Sequence, residues 1–355
     1  MKTRVLIYYV LIIGCIASCV TPINDFEQVS SSKFLTVEAT LTDQNEQQSI
    51  KLSYSNGDIN NSFFKPVQRA EVYILDEKNK KEIFTESYPE GKYVASSNFR
   101  GKIGSTYTLF IQANGRRYTS TSETMRAVPE IENLISRYEL NDNYPKGNTL
   151  RGGFNVYLDF QDPSTIGDYY SWHWKHYERV FICATESTKE GELLYSCSSD
   201  CWDISYSNDL NIFSDGYLNG QRITGKQVAR VPFDSFNAYY FLLEQRSNTK
   251  SSYLYYQSLA LQTQSTGSLF DIPAETRFNF NVKSSDAQDK VLGLFDVYSV
   301  KKKLFYIDRK SYIPNDEYPV INANSGKPAC PAFPCPKPCL ESRFRTGIKP
   351  EGWKD

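Results

Sequence analysis

Strict alternation of apolar and polar residues sets the tightest limit on what this chain can build. Leu35, Val37, Ala39 and Leu41 alternate with Thr36, Glu38, Thr40 and Thr42. A period of two sends successive side chains to opposite faces of a strand. Ile50, Leu52 and Tyr54 repeat the pattern, "AEVYILD" at 70–76 gives a third strand, and the charged "KNKKE" at 78–82 reads as a loop. Tyr107, Leu109 and Ile111 alternate before Asn114-Gly115, a strong hairpin signal leading to Tyr118. Several short strands in succession with no helical stretch predict a β-sandwich over 33–127.

Val128-Pro129-Glu130 marks the expected boundary of a second, larger β-rich domain over 128–320. "FNVYLDFQD" at 154–162, the aromatic "DYYSWHWKHYERVFICA" at 168–184, "KQVARVPFD", "AYYFLLEQR" and "VLGLFDVYSVKKKLFYI" at 291–307 read as strands, the last with Gly293 as a bulge. "SSYLYYQSLALQTQS" at 251–265 is the one expected helix, with Ser251 or Ser252 as N-cap. The long polar stretch from Ser187 to Gln221 reads as an excursion stapled by cysteines. The Pro- and Cys-rich 321–355 reads as a tail fixed on the second domain. The predicted fold class is mainly β: an N-terminal Ig/transthyretin-like sandwich, then a β-rich domain with one helix. The order "AEVYIL", "GKY", "GSTYTL" resembles transthyretin-like and carboxypeptidase-regulatory sandwiches.

The N-terminus is of another kind. Lys2 and Arg4 precede an apolar run from Val5 to Ala17. That run is shorter than the ~20 residues of a spanning helix and has the length of a signal h-region. Ile16-Ala17-Ser18-Cys19 is the junction of a bacterial lipoprotein signal, so 1–18 is expected to be removed and Cys19 acylated. Cys15, after Ile13-Gly14, is the poorer rival. Acyl chains contribute about 0.8 kcal/mol per buried methylene, enough to anchor a body on a short polar tether at 19–32 without a transmembrane helix. Lys plus Arg is 40 and Asp plus Glu 41, for a net charge of −1. That balance gives no electrostatic case for nucleic acid.

Six cysteines follow Cys19: Cys183, Cys197, Cys201, Cys330, Cys335 and Cys339. An even number in an exported chain reads as disulfides. Three fall in the excursion and three in the tail, so full oxidation needs at least one bridge between the groups. Metal binding is the alternative, but the spacings lack the two-residue gap that most favours zinc.

No Gly-x-Ser-x-Gly, His-Glu-x-x-His or phosphate-cradling loop is present. The only histidines, His173 and His176, fall on opposite faces of a strand, the wrong arrangement for chelation. "NDLNIFSDG" at 208–216 lacks the ordered ligands of a calcium loop. Neither a catalytic set, a metal site nor a cofactor is therefore expected. A carboxylate pair for hydrolysis stays open, because it is defined in space. Trp172, Trp174, Tyr253 and Tyr256 are candidates for a ligand-binding face. The competing expectation is that Trp172 and Trp174, with Tyr170, face the core.

The lipobox, "KFLTVEATLTD", "YYSWHW", "NIFSDGYLNGQ", "YYQSLALQTQSTGSLFDIPA", "VLGLFDVYSV" and the Cys-rich tail ending near "IKPEGW" together resemble the Bacteroidota lipoproteins known as Domain of Unknown Function 4249. The resemblance implies a place on the outer membrane, facing outward, beside a TonB-dependent transporter in nutrient capture. The expected role is that of a non-enzymatic accessory protein that binds a ligand or caps the barrel. A structural or adhesive surface protein and a carboxylate-dependent hydrolase are the alternatives.

Overall fold

The computed structural model describes residues 34–55, 64–145, 148, 151–180, 182–187, 193–198, 200–264, 279–310 and 339–354. Cys19, Cys330 and Cys335 lie outside these described residues. The first run of strands is β1 (Leu35–Thr42), β2 (Ser49–Tyr54), β3 (Lys65–Pro66), β4 (Glu71–Asp76), β5 (Lys81–Ser87), β6 (Lys92–Val94), β7 (Thr106–Ala113), β8 (Arg116–Ser120) and β9 (Glu123–Thr124). The second is β10 (Asn133–Leu140), β11 (Gly152–Gln161), β12 (Tyr169–Arg179), β13 (Ile182–Ser187), β14 (Leu193–Ser198), β15 (Trp202–Tyr206), β16 (Asn211–Ser214), β17 (Arg222–Pro232) and β18 (Tyr239–Asn248). Helix α1 (Lys250–Gln264) follows, then β19 (Val282–Ser284), β20 (Val291–Ile307) and β21 (Arg345–Thr346). The protein is mainly β with one helix among the described residues, as the alternation predicts.

Local chemistry explains several of these elements. Asn114 and Gly115 both take positive φ, 50° and 77°, which the tight β7–β8 hairpin requires and which asparagine and glycine tolerate. The segment expected as a loop over 78–82 turns only as far as Lys80, because Lys81 and Glu82 already pair with β4.

One continuous sheet runs β19-β8-β7-β4-β5-β6-β2-β1-β20-β18-β12-β15-β21. Its centre is β20. Residues 291–298 pair parallel with β1, from Leu35↔Val291 to Thr42↔Tyr298, and 299–307 pair antiparallel with β18. The sheet's first half encloses one core, with Leu35, Val37, Leu41, Ile50, Leu52, Val72, Leu109 and Tyr118 joined by Val282, Val291, Phe295 and Val297. A three-stranded sheet, β10-β11-β17, covers the other half over a second core that includes Phe154, Leu158, Phe160, Tyr170, Trp172, Val231, Phe241 and Ile307. The first core therefore draws on strands from both sides of the boundary expected at 127/128. The first lobe needs strands from near residue 290 to fill its core, because a strand alternating this strictly must bury one whole face.

Gly293 does not mark a bulge in the β1 ladder, whose register is unbroken. Its φ is 104°, and a Cβ there would stand 1.9 Å from the Val37 carbonyl oxygen. Glycine is required because two backbones meet. The tail segment 339–354 docks on the second lobe. Cys201 and Cys339 form a disulfide with Cα atoms 5.6 Å apart, β21 adds to β15, and the Trp353 ring packs 5.8 Å from Tyr240 and 5.9 Å from Trp202.

Candidate functional site

Helix α1 lies over the polar face of the central sheet. Thr249, not Ser251 or Ser252, caps it: the Ser252 amide donates to Thr249 Oγ1 at 3.3 Å. The serine expected as a cap is used otherwise. Ser252 Oγ donates to Asp296 Oδ1 at 2.5 Å, and one helical turn on, Tyr256 donates its hydroxyl to Asp296 Oδ2 at 2.7 Å. Ser252 and Tyr256 are four apart and so share a helix face. Burial raises the Asp296 pKa, and the two hydroxyls and nearby Arg246 work against that rise.

Beside this contact, between α1 and the outer face of β1 and β20, opens a cleft of about 360 Å³. Tyr255, Tyr256 and Phe64 give it aromatic walls, Glu38 and Asp296 give carboxylates, and Gly293 lies in its lining. Tyr255 is braced edge-on by Phe280 at 5.5 Å between ring centres. Next to Asp296, Arg246 lies 4.8 Å from the centre of the Tyr298 ring and pairs with Glu244 at 2.8 Å. Burial works against the Glu244 carboxylate, yet Arg246, Lys175 and Lys302 together hold its pKa below the usual range.

The four aromatic residues singled out from sequence do not share a face. Trp172 is 1% exposed in the second core, with its indole N–H donating to Gln245 Oε1 at 2.9 Å. Trp174 packs half-buried on the same side, 5.7 Å from Phe241. Tyr253 lies on the opposite face of β12, stacked 4.8 Å from Tyr169. Tyr256 alone of the four lines the cleft. Strand alternation explains the split: the odd-numbered residues of β12 face α1 and the even-numbered ones face the core. Tyr255 and Asp296 were missed. Position 255 lies between two tyrosines already singled out, but Asp296 sits inside a strand and its partners are 40 and 44 residues earlier.

The two histidines follow the same alternation. His176 stacks on Tyr239 with its Nδ1 on the Tyr240 carbonyl at 2.8 Å, and burial holds its pKa down to about 4. Burial, with Arg246 nearby, holds His173 down to about 3. A wider groove of about 530 Å³ runs past His176, Glu178, Arg309 and Trp353. Its imidazole is neutral and committed to the backbone. Among the described residues, one trio has metal-holding geometry, Asp162, Asp168 and Asp215.

Residues 21–304 match the model of a family described as a domain of unknown function, DUF4249. No curated protein matches the chain.

Proposed function

The chain belongs to the DUF4249 family, and we propose that it is an outer-membrane lipoprotein, acylated at Cys19 and facing outward, that captures a small ligand under α1. In this reading it works without catalysis of its own, beside a TonB-dependent transporter in nutrient uptake. The observation that carries the capture role is the cleft. Braced aromatic rings beside a few fixed polar groups are the usual make-up of a small-molecule site. Asp296 is spent on two hydroxyls, which suits it to positioning Tyr256 rather than to acid–base work.

The anchoring reading is supported by the junction at Ala17-Ser18-Cys19. An anchor at Cys19 stands 16 positions before Leu35, the first residue of β1, a wall of the cleft. That keeps the cleft close to the membrane plane. Exposed Leu340, Phe344 and Ile348 on the clamped tail supply apolar surface for a protein partner.

The test is co-purification from gently solubilised outer membranes. A β-barrel recovered in stoichiometric amount supports the transporter reading. Its absence, with adhesion lost in a deletion strain, favours the adhesive alternative. Cys19→Ala is expected to release the body from membranes. Continued acylation of that variant, with loss in Cys15→Ala, would move the anchor to Cys15. Tyr255→Ala should lower uptake at an unchanged melting temperature.

A further inference from the structure

Two loops of the second lobe fold back on one another. One spans 162–168 between β11 and β12, and the other spans 215–221 between β16 and β17. The Asp162 amide donates to the Gln221 carbonyl, and the Asp215 amide to the Asp168 carbonyl, each at 3.1 Å. This brings Asp162, Asp168 and Asp215 together at 1%, 5% and 1% exposure. Each places a carboxylate oxygen within 4.8 Å of the others.

Their six oxygens can be accounted for. Asp162 Oδ1 accepts the Tyr170 hydroxyl at 2.6 Å and Oδ2 the Gly220 amide at 2.9 Å. Asp168 Oδ1 accepts the Arg126 guanidinium at 2.7 Å, and Asp215 Oδ2 the Gly167 amide at 3.1 Å. Asp168 Oδ2 and Asp215 Oδ1 remain, both buried and without a hydrogen-bond partner. Buried polar atoms are almost always satisfied, and an orphaned charged oxygen calls for an unseen water or ion. The charges do not balance either, with three carboxylates against the single ion pair to Arg126.

We propose that Asp162, Asp168 and Asp215 bind a divalent cation, calcium, between these two loops. A water could satisfy the orphaned oxygens but would leave the excess charge, whereas a dication satisfies both. All the donors are hard oxygens, which disfavours zinc and copper. Three carboxylates on irregular loops suit calcium's six to eight ligands. Magnesium usually takes one or two carboxylates and keeps its waters. Arg126, on the segment leaving the first lobe, also donates to the Ile166 carbonyl at 3.4 Å. The ion therefore ties the lobe crossover to both loops, and it fixes the loop tips that carry exposed Ile166 and Tyr217.

The test is calorimetric titration and thermal melting of the full chain, purified in detergent and stripped with EDTA. One calcium per chain is expected, with magnesium far weaker and a rise in Tm of about 4 °C at ~100 times Kd. Asp215→Asn and Asp168→Asn should abolish both responses. In EDTA, Asp215→Asn should melt at or above wild type, because one buried charge is gone. A wild-type chain that neither binds calcium nor shifts its Tm would overturn the proposal, leaving water or a proton in the cluster. Binding that survives undiminished in Asp215→Asn would also overturn it. The wild-type titration decides the matter even where a variant fails to fold.

Discussion

At the scale of single residues, the two histidines couple stability to pH. His176 is buried, and its pKa falls from an ordinary 6.5 to about 4 on folding. Between those values the unfolded chain takes up a proton that the folded chain refuses, so stability rises with pH and is lost on acidification. From pH 6.5 to 5 the loss from His176 is roughly 2 kcal/mol at 1.36 kcal/mol per pH unit. His173 adds in the same direction, its pKa held near 3. Asp296, raised on folding, acts oppositely, since its folded form gains a proton first. Urea melts of wild type and His176→Gln at pH 7 and pH 5 separate these contributions. The variant should lose clearly less on acidification, and equal losses would exclude His176 as the source. Trp172 makes a second test. Truncation to Ala should cost about 3 to 5 kcal/mol, because the ring fills the core beside Phe160 and Phe213. A wild-type denaturation midpoint for Trp172→Ala would remove the ring from the core. The even-numbered face of β12 was legible in the sequence as an aromatic run of period two. The grouping of those rings with Tyr253 was not, because nothing local says which face of a strand a later helix will cover.

At the scale of elements, one bridge between the two cysteine groups is seen among the described residues. Three in the excursion and three in the tail demanded a bridge between the groups, and Cys201–Cys339 is that bridge. It closes a loop with a sequence separation of 138, which in the chain-entropy picture stabilises by roughly 4 to 5 kcal/mol. The β13–β14 register pairs the backbone of Cys183 with that of Cys197. Non-reducing peptide mapping should therefore return Cys201–Cys339 and Cys183–Cys197 peptides, and a Cys183–Cys339 peptide would contradict the register. In β20, Gly293→Ala would place a methyl group against the Val37 carbonyl at a positive φ. A loss of about 3 kcal/mol is expected in the denaturation free energy, and an unchanged value would mean that β1 can move away. The sequence announced β20 over its full span of 291–307, since its apolar run is long and bounded. It did not announce the helix cap, because Thr249, Ser251 and Ser252 are all capping residues and the choice was made by Asp296 from another strand. The aspartate trio was hidden for a related reason. Asp162 and Asp168 are local to each other, but Asp215 arrives from a loop 47 positions beyond Asp168, so no spacing rule brings the three together.

At the scale of the whole molecule, the two lobes share one strand, and this is where sequence reading reached least far. Alternation tells which residues of β1 are buried but not that its neighbour begins 256 positions later. Long-range parallel pairing leaves no local signal. The consequence is testable. An isolated 33–127 fragment lacks Val282, Val291, Phe295 and Val297 from its core and leaves one edge of β1 unpaired. It should show no cooperative thermal transition and no dispersed amide spectrum. A single chain joining 33–127 to 279–310 restores both β19 and β20 to that core and should recover a cooperative melt. For the whole protein, β20 couples the lobes, so calorimetry should give one transition whose calorimetric and van't Hoff enthalpies agree. A fragment 33–127 that folds by itself, or two resolved transitions in the full chain, would mean that β20 is an added strand rather than the element on which both cores depend.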